Sequence, residues 1–89
     1  MRTEKVTILN ETGLHARPAS LFVQLGSQFK SEVTLQTDEK KVNAKSILGV
    51  LSLGVTQGTE VILSTEGPDE DEAIMRLVQL IRTNFGEKS

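Results

Sequence analysis

The sequence has 89 residues, 37% of them hydrophobic and 25% charged, which is the make-up of one globular unit rather than a disordered or fibrous chain, so a single domain over 1–89 is expected. It has no cysteine, which excludes disulfides, thiolate metal sites, thiol nucleophiles and redox chemistry, and suits a reducing compartment. The net charge of −2 conceals an asymmetry: residues 1–58 carry seven Lys/Arg against five Asp/Glu, and residues 59–89 carry three against seven. With Phe22, Phe29 and Phe85 as its only aromatics, the chain offers no basic stripe interleaved with stacking rings. Nucleic acid is therefore not the expected partner, and a protein with an acidic patch fits better. The apolar stretch from Ile47 to Val55 is interrupted and too short to span a bilayer, and Met1–Lys5 lead into no apolar leader, so a cytoplasmic monomer is expected.

Val6 and Ile8 alternate with Thr7, which predicts a strand over 3–9 with one buried face. Asn10 to Gly13 punctuate. Pro18 is tolerated only in the first turn of a helix, so the helix carrying Ala19, Phe22, Leu25, Gly26 and Phe29 at three-and-four spacing begins within a residue or two of Ala16. Val33 and Leu35, a turn at Asp38–Glu39, then Val42 and Ala44 describe a hairpin. Ser46 precedes Ile47, Leu48, Val50 and Leu51 as the N-cap of a short amphipathic helix that Gly54 ends. Glu60–Thr65 reads as a central strand closed by Gly67-Pro68. Asp69–Glu72 then opens a final helix, with acids facing the positive dipole end and the spacing of a capping box. Its apolar stripe is Ile74, Leu77, Val78, Ile81 and Phe85, and Gly86 follows as a stop. One-sided alternation in all four strands argues for an antiparallel or mixed sheet with three helices on one face, an α+β two-layer fold.

The chemistry concentrates at Gly13-Leu14-His15-Ala16-Arg17-Pro18. The only histidine stands at the mouth of a helix whose first N–H groups have no internal acceptor. Imidazole accepts a phosphoryl group reversibly near neutral pH, and such a group would meet the helix dipole, the backbone donors of Ala16 and Arg17, and the Arg17 guanidinium. The alternative is a histidine that merely starts a helix. One histidine without cysteine or matched carboxylates supplies too few ligands for a metal site. Ser46 admits two readings as well, a plain cap or a cap whose phosphorylation Lys45 would help to pair. The run from Ile47 to Leu53 has more apolar positions than a short helix needs for a core, so it either fills the core or exposes a docking patch. No nucleophile elbow, P-loop or dinucleotide fingerprint is present, and there is little room for a substrate pocket.

Gly13-Leu14-His15-Ala16-Arg17-Pro18-Ala19, taken with Asn43-Ala44-Lys45-Ser46-Ile47-Leu48-Gly49-Val50-Leu51-Ser52-Leu53-Gly54, closely resembles HPr, the histidine-containing phosphocarrier of the bacterial sugar phosphotransferase system, along essentially the whole chain. The resemblance implies an open-faced β-sandwich, a four-stranded antiparallel sheet covered by three helices. It implies a carrier rather than an enzyme, without a cofactor. Enzyme I, charged by phosphoenolpyruvate, would phosphorylate Nδ1 of His15, which would pass the group to enzyme IIA domains while Arg17 stabilises its charge. The Ser46 segment resembles that of Gram-positive members, which implies modification by HPr kinase/phosphorylase and binding to the catabolite control repressor. Relatives in a nitrogen-linked branch are not generally read by that kinase. A predominantly regulatory module acting through Ser46 is the alternative function, although His15 separates this chain from regulatory paralogues lacking the histidine. The resemblance further places partner contacts at Ser20, Phe22, Gln24, Ile47, Leu48 and Leu51. Positions 48 and 51, often Met in Gram-positive members, are Leu here, which preserves an apolar patch with less adaptability.

Overall fold

The computed structural model describes residues 1–86. Strands β1 (Arg2–Thr7), β2 (Glu32–Gln36), β3 (Lys41–Asn43) and β4 (Glu60–Glu66) form one sheet in the order β1-β4-β2-β3. Every neighbouring pair is antiparallel, with Val6 opposite Val61 and Leu35 opposite both Leu63 and Val42. Alternation along the strands works as the sequence predicts: Val33, Leu35, Val61, Leu63 and Thr65 are buried, while their neighbours in the chain are exposed or half-buried. Because successive strand residues point to opposite faces, the buried set defines one apolar face of the sheet.

That face is covered by α1 (Ala16–Gly26), α2 (Ile47–Ser52) and α3 (Glu70–Arg82), the α+β arrangement expected. Phe22 of α1, Val50 of α2 and Leu77 of α3 are fully buried and join Ile8, Val33, Leu35, Val61 and Leu63 in one core. The short α2 buries only Val50, so the remaining apolar residues of that segment are surplus to the core.

Three local expectations are corrected. The helix read through to Phe29 ends at Gly26, with Ser27 as C-cap. Phe29 is still buried, and the Arg76 guanidinium lies 6.0 Å from its ring centroid. Asp69 occupies the N-cap position of α3 but makes no side-chain cap bond. Its carboxylate instead accepts from Lys30 N–H (2.9 Å), Ser31 N–H (2.9 Å) and the Ser31 hydroxyl (2.5 Å), tying the start of α3 to the start of β2. Phe85 is not on the stripe of α3, which stops at Arg82. Asn84 and Phe85 both adopt φ 56 in a 3-10 turn, Asn84–Gly86, that carries the ring into the core at 3% exposure. Left-handed backbone at a bulky residue costs about 1–2 kcal/mol, an amount that burial of an aromatic ring offsets.

Candidate functional site

The loop between β1 and α1 is fastened to the segment before β4. Ile8 N–H donates to the Thr59 carbonyl at 2.9 Å, and Gly58 N–H to the Ile8 carbonyl at 2.7 Å. Asn10, read from the sequence only as punctuation, closes the loop on itself. Its Nδ2 donates to the Gly13 carbonyl at 2.8 Å, and its own carbonyl accepts from Gly13 N–H at 3.1 Å. Leu14 N–H then donates to the Val55 carbonyl at 3.0 Å, and its side chain is 97% buried. An anchored, buried residue immediately before the helix leaves the next three, His15, Ala16 and Arg17, on the surface. An Asn-x-x-Gly spacing before the motif was the available signal for this loop, but the Val55 carbonyl that holds Leu14 is forty-one residues away.

His15 is the N-cap of α1, in extended backbone at φ −92 and ψ −165. The His15 carbonyl accepts the first intrahelical bond, from Ala19 N–H at 3.0 Å. The N–H groups of Ala16 and Arg17 precede that bond and have no acceptor within the helix, while Pro18 has no N–H to offer. No acidic residue lies in the first turn of α1, so nothing in that turn neutralises the positive end of the dipole. Arg17 is exposed and takes part in none of the ion pairs among the described residues. An exposed imidazole, with two backbone donors and a guanidinium that have no partner among the described residues, is thus held within three consecutive residues. This arrangement can accept a tetrahedral oxyanion group and spread its charge.

Ser46 is the N-cap of α2, as read from the sequence. Its Oγ accepts from Gly49 N–H at 3.2 Å, and the residue is half-buried. The neighbouring Lys45 donates from Nζ to the Phe29 carbonyl at 2.7 Å, just past the end of α1. Beyond Ser46, Ile47, Leu48 and Leu51 are 37%, 76% and 36% exposed, an unusual surface for three aliphatic side chains on two helical turns. On the neighbouring α1, exposed Gln24 donates to the hydroxyl of half-buried Ser20 at 3.4 Å. Phe22 is the exception among the residues read as partner contacts. It is completely buried, because the three-and-four spacing that links it to Ala19 and Gly26 places it on the core face of α1. Among the described residues no group of three or more His, Asp or Glu is placed to hold a metal ion, and no helix is long and apolar enough to cross a membrane.

Comparison with known proteins places the chain in a family. Residues 2–83 match the family model PTS-HPr, described as the PTS HPr component phosphorylation site. The HPr-like protein Crh of Bacillus subtilis (strain 168) is 51% identical over 82 residues, which cover 92% of this chain and 96% of Crh. The phosphocarrier protein HPr of Neisseria meningitidis serogroup A is 45% identical over 87 residues, 98% of either chain. The crystal structure of HPr-C-His from Thermoanaerobacter tengcongensis superposes with a TM-score of 0.97 at 57% identity, covering both chains completely. The chain therefore belongs to the HPr family, the phosphocarrier proteins of the phosphotransferase system, which is the family its two motifs resemble.

Proposed function

We propose that this protein carries a phosphoryl group on His15 between enzyme I and the enzyme IIA domains of sugar permeases, acting as a cytoplasmic monomer. The observation that carries the reading is the exposed His15 at the acid-free N-terminus of α1, with the Ala16 and Arg17 N–H groups and the Arg17 side chain uncommitted among the described residues. In the forward step, the lone pair of Nδ1 attacks phosphorus as the bond from phosphorus to the donor breaks. In the return step His15 is the leaving group. Charge on the transferring group, spread over its three equatorial oxygens, is met by preorganised donors. Exposure at a helix mouth serves both steps, since donor and acceptor must each approach the ring in line. Ile47, Leu48 and Leu51, with Ser20 and Gln24 on the neighbouring helix, form the surface those partners contact. The test is 31P NMR after incubation with enzyme I and phosphoenolpyruvate. A resonance of Nδ1-phosphohistidine supports the reading, and a spectrum without one, from folded protein and active enzyme I, overturns it.

A second role is favoured by Ser46, the N-cap of α2, which the exposed Ile47 and Leu48 follow in the chain. Phosphorylation there by HPr kinase/phosphorylase would add about two negative charges at the edge of the contact surface. Such a charge repels an acidic enzyme I and attracts a basic catabolite control repressor. The similarity to Crh supports a regulatory role, and His15 keeps the carrier role open in the same molecule.

A further inference from the structure

We propose that Gly13 is a positioning residue for phosphoryl transfer: by having no side chain, it lets the loop before His15 close against the backbone at Val55, and that closure sets where the imidazole stands. The proposal rests on His15 as the phosphoryl acceptor. Gly13 adopts φ +61, and a Cβ built on it would lie 2.4 Å from the Val55 carbonyl oxygen and 2.8 Å from the Thr56 Cα. Both atoms are backbone, so no rotamer change relieves the overlap. Bringing the first contact to the 3.0 Å that real Cβ atoms respect requires a movement of about 0.6 Å, either of the loop or of the Val55 peptide.

The position of the collision matters as much as its size. The same Val55 carbonyl accepts Leu14 N–H at 3.0 Å, the bond that anchors the residue next to His15. A side chain at 13 therefore pushes on the acceptor that locates 14, and the displacement is delivered to 15. The Gly13 carbonyl is held from the other side by Asn10 Nδ2 at 2.8 Å, so the loop has little freedom to absorb the shift elsewhere. The exposed contact residues Leu48 and Leu51 lie on another element and are left in place. Transfer rates are sensitive to such movements, since a misplacement near 1 Å costs on the order of a hundredfold.

Gly86 supplies a matched control. It also has a left-handed φ, +76, but among the described residues a Cβ added there would meet no atom within 4 Å, so Gly86→Ala carries the backbone penalty without the collision. The experiment is steady-state phosphorylation by enzyme I and phosphoenolpyruvate, with the full-length chain as the varied substrate and circular dichroism as the check on folding. Gly13→Ala is expected to lower kcat roughly tenfold or more while KM stays within about twofold. Gly86→Ala is expected to lose thermal stability and leave both constants near wild type. Equal kcat for Gly13→Ala and wild type overturns the proposal, as does a rise in KM alone or an equal loss in both variants. Should Gly13→Ala not fold, Asn10→Ala removes the 2.8 Å donation to the Gly13 carbonyl without adding atoms. A drop in kcat of about threefold at constant KM then supports the proposal, and unchanged constants overturn it. Wild-type protein that takes no phosphate on His15 overturns the carrier reading itself, an outcome distinct from wild-type transfer that Gly13→Ala leaves untouched.

Discussion

Phe22→Ala separates the two roles that the sequence left superimposed on α1. Phe22 is completely buried, between the sheet face and the helices, in the same cluster as Leu35, Leu63 and Leu77. Truncation removes an entire ring from a close-packed site, and Phe→Ala changes of this kind cost about 3–5 kcal/mol in transfer and cavity terms. At roughly 0.05–0.15 kcal/mol per residue, a chain of 89 residues has a total stability of about 4–13 kcal/mol. The substitution therefore consumes a large share of it. With an m-value near 1.5 kcal/mol per molar urea, a loss of 4 kcal/mol moves the midpoint down by about 2.5–3 M. The chain has neither Trp nor Tyr, so the transition is followed by far-UV circular dichroism rather than by fluorescence. A loss below about 1 kcal/mol, with weakened binding to enzyme I, would refute the burial argument and return Phe22 to the contact surface.

Leu48→Ala is the converse case. At 76% exposure its loss should leave stability within about 0.5 kcal/mol of wild type and raise KM in the enzyme I assay severalfold; a large drop in urea midpoint would contradict the exposure. Ser46→Asp should slow acceptance from enzyme I through like-charge repulsion while the fold persists, and unchanged kinetics would remove the electrostatic account of Ser46. Asp69 gives a pH dependence. The Ser31 hydroxyl first, then the Lys30 and Ser31 amides, hold its carboxyl at about 2 against an ordinary 3.8. A depressed folded-state value means that the stabilisation is complete above the unfolded value and is lost as pH falls through the folded one. The gap in urea midpoint between wild type and Asp69→Asn should thus be full above about pH 4 and close near pH 2; a gap constant over that range would refute it. Glu70 is lowered in the same direction, chiefly by Gly67 N–H and next by the terminal ammonium, and adds to the acid sensitivity of this end of α3.

What could be read from the sequence was local. Pro18 restricts where α1 can begin, and the structure puts that start at Ala16. Ser46 announces α2 through its own hydroxyl, which accepts from Gly49 N–H three residues on. Period-two alternation located β1, β2 and β4, because each buries one face only. The misreading at Asp69 has the opposite property. Asp69 has the spacing of a cap, but its acceptor capacity is used by Lys30 and Ser31, thirty-eight residues or more away in sequence. Phe85 keeps the helical period by arithmetic, while the backbone at Asn84 and Phe85 has already turned left-handed. At the candidate site the motif itself names His15 and Arg17. The Val55 carbonyl that anchors Leu14 is a backbone atom, and no residue type at position 55 advertises it.

The most direct test of the central claim is intact-mass spectrometry at neutral to basic pH after incubation with enzyme I and phosphoenolpyruvate, on wild type and His15→Ala, before and after acid treatment. His15 is exposed at a helix boundary, so His15→Ala should fold normally. The carrier account predicts one phosphate on wild type that falls off in acid, and none on His15→Ala. A phosphate of equal yield on both proteins, or a folded wild type that takes none from an active enzyme I, would contradict it.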